Sequence, residues 1–275
     1  GAWMSSYRVQ ETFDGKVTPH VVNVMNIPAA PKGQVATISL DDAITLFHEL
    51  GHGLHGLLSG VSYPSIAGTA VSRDFVEFPA QILEHYVLRP EILNRFATHV
   101  KTGAPMPAEL QQRLIASRTF NQGFATVEFL ASGFVDMDFH TLTAEEARNI
   151  DVAAFERQSL ERIGTLPEIP MRHRGTHFAH IFAGGYSAGY YSYLWSEVLD
   201  SDGFDAFVES GDLFHPETAE RLHKYVFAAG NLRPPMEAYV AFRGREPVVE
   251  PLLRNRGFLA ETGAATQPAN RNAPK

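Results

Sequence analysis

Residues 46–55 read Leu46-Phe47-His48-Glu49-Leu50-Gly51-His52-Gly53-Leu54-His55. His48 and His52 stand four apart, about 40° from each other around a helix axis and about 6 Å along it, so both imidazoles reach one metal ion. Glu49 then lies beside that ion, placed to take a proton from a water activated there. The flanking residues are apolar at helical spacing, which makes the segment a helix rather than a chance string. This is the H-E-x-x-H pattern of a zinc hydrolase, with His48 and His52 as candidate ligands of one Zn2+ per chain and Glu49 as candidate general base.

A catalytic zinc takes three protein ligands and keeps one position open. His55 shares the helical face, but it lies about 10 Å further along the axis than His48, too far for bonds of about 2 Å to one ion. The metzincin extension is also absent, because its Gly and His positions do not match here. The acidic segment Ser72-Arg73-Asp74-Phe75-Val76-Glu77-Phe78-Pro79-Ala80-Gln81-Ile82-Leu83-Glu84-His85 offers the third donor. A second helix starting near Asp74 or Pro79 carries Glu77, Gln81 and Glu84 at i, i+4 and i+7. Read alone, Asp74 and Glu77 would be a helix cap. With two histidines in hand, a carboxylate about 25 residues downstream is the gluzincin arrangement, and Glu77 is better placed than Asp74, Glu84 or His85. Gln81 or Glu84 would then hold an imidazole N–H.

The chain has 275 residues, 44% hydrophobic and 20% charged, enough for one large domain or a lobe of a bigger one. A net charge of −8 argues against nucleic acid and anionic membrane surfaces as partners. No run of 18 apolar residues is present, so no transmembrane helix is expected. Cysteine is absent, which excludes disulfides and a thiol nucleophile and leaves His and Glu as metal ligands. The compartment expected is the cytoplasm, with the periplasm as alternative.

Residues 17–38 alternate β-branched and polar side chains around Pro28, Pro31 and Gly33, which predicts a hairpin or edge strands. Such an edge binds a peptide backbone, or serves only as a small structural sheet. From residue 40 the pattern turns helical, over 40–59, 75–88, 90–101, 108–140, 144–163, 186–208 and 216–229. The fold class is therefore mostly α with a small β-sheet near the N-terminus. Residues 1–260 read as a single lobe and 261–275 as a disordered tail.

Gly184-Gly185-Tyr186-Ser187-Ala188-Gly189-Tyr190-Tyr191-Ser192-Tyr193 forms a second constellation. On a helix, Tyr186, Tyr190 and Tyr193 would share one face behind a flexible Gly pair. An aromatic stripe is commonly core, yet neutral phenols are also good donors to a developing oxyanion. His173, His177 and His180 are spaced as a possible second metal site, but without a carboxylate they read better as surface or core histidines. Arg73, Arg172 and Arg174 are candidates to hold a substrate carboxylate, with surface ion pairs as the alternative.

The runs Gly1-Ala2-Trp3-Met4, Asp42-Ala43-Ile44-Thr45-Leu46-Phe47-His48-Glu49, Arg73-Asp74-Phe75-Val76-Glu77-Phe78-Pro79 and His180-Ile181-Phe182-Ala183-Gly184-Gly185-Tyr186 together resemble the thimet-oligopeptidase family of zinc metallopeptidases. The resemblance extends from Gly1 to about Phe258. It implies a gluzincin-type helical lobe acting on short peptides, with Tyr186, Tyr190, Tyr193 and His180 as oxyanion donors and Tyr193 foremost. Arg73 to Pro79 and Gly1 to Met4 favour the peptidyl-dipeptidase branch, which releases C-terminal dipeptides. Phe242-Arg243-Gly244-Arg245-Glu246-Pro247 looks as much like the endo-acting oligopeptidase A branch. A non-catalytic zinc module that binds peptides is the rival of another class. In the resembling family Gly1 falls well inside the chain, which implies the last two-fifths of an enzyme whose N-terminal lobe closes over a deep channel.

Overall fold

Two antiparallel strands, β1 (Trp3–Arg8) and β2 (His20–Val24), precede the first helix in the computed structural model, which describes residues 1–260. Residues 261–275, expected to be a disordered tail, lie outside the described residues. β2 falls within the segment predicted to be extended, but its partner is Trp3–Arg8 rather than a second strand from residues 25–38. Trp3 pairs with Val24 and Ser6 with Val21, and a bulge follows before Arg8 meets His20. Pro28 and Pro31 lack the N–H that a continued ladder needs, so the hairpin expected beyond β2 does not form.

Helix α1 (Leu40–Leu57) starts at Ser39, whose Oγ accepts from the Asp42 amide while the Asp42 carboxylate accepts from the Ser39 amide. This reciprocal cap satisfies two donors that a helix start otherwise leaves open. The chain then runs through α2 (Arg73–Val76), α3 (Phe78–Val87), α4 (Pro90–Phe96), α5 (Ala108–Ser117), α6 (Gln122–His140), α7 (Ala144–Ala147) and α8 (Val152–Arg162). It continues through α9 (Ala179–Phe182), α10 (Ser192–Ser210), α11 (Pro216–Leu222), α12 (Pro235–Arg243) and α13 (Glu250–Asn255), with a π-helical turn at His223–Phe227 after α11. The architecture is mostly α, as the sequence predicts.

Several predicted helices are broken where local chemistry demands it. Residues 75–88 divide at Glu77, because Pro79 cannot donate to the Phe75 carbonyl four residues back. The span 108–140 divides at Asn121, which adopts a left-handed conformation with φ +58°. Residues 186–191 are not helical, and α10 begins only at Ser192. Gly185 (φ +80°) and Ala188 (φ +50°) turn the chain out of the right-handed region there. α12 and α13 were not foreseen; each carries a proline in its first turn, where a missing N–H costs nothing.

The larger core gathers Phe78 and Ile82 from α3, Leu199, Phe204 and Phe207 from α10, and Tyr239 and Phe242 from α12. A smaller one holds Val135, Met171, Phe178, Ile181 and Tyr190. Between α1 and α3 the two backbones nearly touch: a Cβ on Gly51 would stand 2.5 Å from Ala80 Cα and 2.6 Å from the Pro79 carbonyl oxygen. Those neighbours are backbone and cannot swing aside, so only glycine permits the crossing. Further along α1, Gly53 and Gly56 receive Asn23 and Val21 of β2 and Met4 of β1, which seats the sheet beside the helix.

Gly51→Ala is accordingly expected to force α1 and α3 apart and destabilise the fold by about 1–3 kcal/mol. Denaturant unfolding measures this, and an unchanged midpoint would mean that the crossing yields freely.

Candidate metal centre

The crossing at Gly51 brings the break at Glu77 against the His48–His52 face. Glu77 Oε2 lies 3.2 Å from His48 Nε2 and 3.2 Å from His52 Nε2, and one ligand atom from each residue falls within 4.8 Å of the others. Donors around a tetrahedral ion with bonds of about 2.0–2.1 Å stand about 3.3 Å apart, so these separations fit a metal of that size. Oε2 is buried and makes no hydrogen bond, although both imidazole nitrogens are near. Its surroundings therefore suit a cation shared by the three groups better than hydrogen bonds between them.

Outer contacts fix two of the three side chains. His48 Nδ1 lies 2.7 Å from Glu84 Oε1, and Tyr186 OH donates to Glu77 Oε1. Of the two supports weighed from sequence, Glu84 takes the imidazole, while Gln81 Nε2 donates to the Tyr193 carbonyl at 3.2 Å. Burial opposes a charge on His48, but the Glu77 and Glu84 carboxylates outweigh it and raise the ring's basicity. In Glu77 burial works against the charge, and the two histidines reverse it and hold the carboxyl well below the usual range. A cation replaces protons as the partner of these groups, so metal uptake must release them.

Glu49 sits on α1 beside His48, buried, with its Oε2 free of any hydrogen bond. Burial raises its carboxyl, against the pull of His48 and His52, which makes it a stronger base than an exposed glutamate. His55 does not join the metal group. It is fully buried with its ring edge-on to Phe227 at 6.2 Å, and burial pushes it down to about 3, so it stays neutral.

The tyrosines reach the site by a route other than a helical face. Tyr186 lies in the loop and Tyr193 in the first turn of α10, and their rings stack at 5.1 Å. Burial raises the phenols of both, with the Glu77 charge adding to it, so both stay protonated at neutral pH and able to donate. Tyr190 is only 5% exposed and packs on Phe129 and Phe178 within the smaller core. This position gives it a packing role behind Tyr193, whose ring is 5.5 Å away, in place of the shared face expected from spacing. His180 is half-buried, 6.1 Å from the Tyr186 ring and 6.2 Å from that of Tyr193.

His173, His177 and His180 do not form a ladder, since helical turns do not extend over 171–178; His177 is exposed and only His173 and His180 approach, at 5.1 Å. Arg174 is held by Glu156 at 2.5 Å and Arg172 is exposed. Arg73, by contrast, lies over the Tyr186 ring at 4.6 Å, at the edge of the site. Sequence reasoning passed over Gly51 as a variable position of the motif. A glycine inside a helix was the available signal that another backbone comes close.

The model of peptidase family M3 matches residues 1–258. The chain belongs to this family. As an M3 chain it is 44% identical over 260 residues to a dipeptidyl carboxypeptidase of Salmonella typhimurium and 43% identical over 259 residues to that of Escherichia coli. Each match covers 94% of this chain and 38% of the relative. Oligopeptidase A of Escherichia coli is 35% identical over 263 residues, again with 94% of this chain and 38% of the relative covered. The chain thus spans about two-fifths of the length of these curated relatives. Among its described residues no helix is long and apolar enough to cross a membrane.

In this M3 chain Glu84→Ala should leave His48 Nδ1 without its partner and weaken metal binding about 10- to 100-fold. Competition with a chromogenic chelator reads the change, and an unaltered affinity would assign the orientation of His48 to packing alone.

Proposed function

We propose that this chain carries the catalytic centre of a zinc-dependent peptidase that acts on short peptides and releases dipeptides from their C-termini. The observation that carries the reading is the convergence of His48 Nε2, His52 Nε2 and an unbonded, buried Glu77 Oε2 beside the equally unbonded carboxylate of Glu49. Zinc held by these three side chains supplies Lewis acidity toward water and a peptide carbonyl. Glu49 removes a proton from the attacking water and passes it to the leaving amine. Tyr193, with Tyr186 and His180 around it, donates to the oxygen on which negative charge develops. Tyr186 is partly committed to Glu77, which makes Tyr193 the principal donor.

Arg73 supports exo-cleavage. A guanidinium matches the two oxygens of a terminal carboxylate, and Arg73 lies against the ring of Tyr186, whose hydroxyl donates to Glu77. The names of the Salmonella typhimurium and Escherichia coli dipeptidyl carboxypeptidases point the same way, while the likeness to oligopeptidase A favours internal cleavage as the second reading. Leu46, Leu50 and Leu57 leave an exposed apolar stripe along α1. We assign its cover to the counterpart of the part of those relatives that this chain does not match, which would also supply the second wall of a peptide channel.

Glu49→Gln should retain one equivalent of zinc and lose most turnover, whereas His52→Ala should lose the metal as well; an active Glu49→Gln variant would remove the general-base role. Tyr193→Phe should lower kcat about 10²- to 10³-fold with KM and zinc content nearly unchanged.

Mass analysis of products from a free peptide and its C-terminally amidated twin separates the modes. Dipeptide release from the free peptide only, lost in Arg73→Ala, is expected, and equal cleavage of both would favour the endopeptidase. The chain alone should hydrolyse peptides weakly and gain activity when a counterpart of the unmatched part of those relatives is co-expressed. Full turnover without it would show that the counterpart is dispensable.

A further inference from the structure

Asp136 is fully buried on α6, yet its carboxylate reaches the loop that carries the tyrosines. Oδ1 accepts from the Ala188 amide at 2.9 Å and Oδ2 from the Tyr190 amide at 2.8 Å, while His140 Nδ1 lies 2.8 Å from Oδ1. Both oxygens are therefore satisfied, and two backbone donors converge on one anion, a strong pairing inside a protein. Ala188 has φ +50°, a left-handed conformation that is costly for an L residue and persists only where its surroundings hold it. The same loop presents Tyr186 to Glu77 and stacks it on Tyr193.

Building on the peptidase reading, we infer that Asp136 is a positioning residue for the reaction: by clamping the amides of Ala188 and Tyr190 it fixes the tyrosine loop over the metal centre. It touches neither metal nor substrate and acts through Tyr186 and Tyr193. α6 thereby governs donors that sit about 50 positions away in the chain. Without the clamp the left-handed turn at Ala188 loses both amide bonds that tie it to α6, and the phenols lose their fixed aim.

The test uses the zinc-loaded protein with its counterpart present. Asp136→Asn preserves shape but offers one oxygen where two are needed. Amide hydrogen exchange at Ala188 and Tyr190 should rise about 10-fold or more while that of α1 and α3 is unchanged. One equivalent of zinc should remain, and kcat should fall about 10²-fold with KM altered less. In a Tyr193→Phe background the same change should cost little more, because both act through one group; effects that multiply would reduce Asp136 to a general packing role and overturn the inference.

Ala188→Val strains the loop from its exposed side and should reproduce the faster exchange and the loss in kcat, which keeps the test decisive if Asp136→Asn does not fold. Unchanged exchange at 188 and 190 overturns the inference whether or not peptide is cleaved. A parent protein without turnover counts against the peptidase reading, while faster exchange in the variants still supports the clamp.

Discussion

The near contact of two helix backbones at Gly51 is the constraint on which the centre rests. With any side chain at that position, α3 could not lie against α1 closely enough for its N-terminal break to present Glu77 to both histidines. Pro79 contributes twice. Its missing donor separates α2 from α3 at Glu77, and its carbonyl forms part of the surface that Gly51 meets. A substitution in a packed interface is felt at sub-ångström scale, and a metal site tolerates similarly little displacement of its ligands.

The electrostatics follow from that geometry. Glu49 and Glu77 are buried beside the partly buried His48 and His52, so the ionisation of Glu49, Glu77 and His48 depends on their neighbours. Glu77 is held ionised by the imidazoles, and Glu49, which lacks so close a partner, is raised. Two buried carboxylates thus diverge into a ligand-like group and a base-like group, a separation of roles that environment alone produces. Glu84 adds a further charge behind His48 and ties the ring to α3, so the same helix supports the site from two sides.

The aromatic wall depends on a different set of forces. Tyr190 is sunk into the smaller core and carries Tyr193 on its edge, while Tyr186 is delivered by a loop that two positive φ values bend out of any helix. Stacking of Tyr186 on Tyr193 and of Arg73 over Tyr186 then builds a layered edge to the site. These contacts join residues far apart in the chain, and their arrangement depends on the anchoring of the loop as much as on the rings themselves.

What the sequence by itself determined is what local geometry encodes. Four-residue spacing on a helix placed His48 and His52 on one face, and periodicity identified a mostly α chain. The identity of Glu77 as the nearby carboxylate could be argued, since donor types and separation restricted the choice. Only the tertiary structure decided that Glu84 and not Gln81 supports His48, that Tyr190 is packed away while Tyr186 and Tyr193 meet, and that β2 pairs with Trp3–Arg8. The physical reason is range: spacing within a helix follows from 3.6 residues per turn, whereas distances between elements are set by packing, by glycine contacts such as Gly51 with Ala80, and by buried hydrogen bonds that join residues up to more than a hundred positions apart, as Tyr186 joins Glu77.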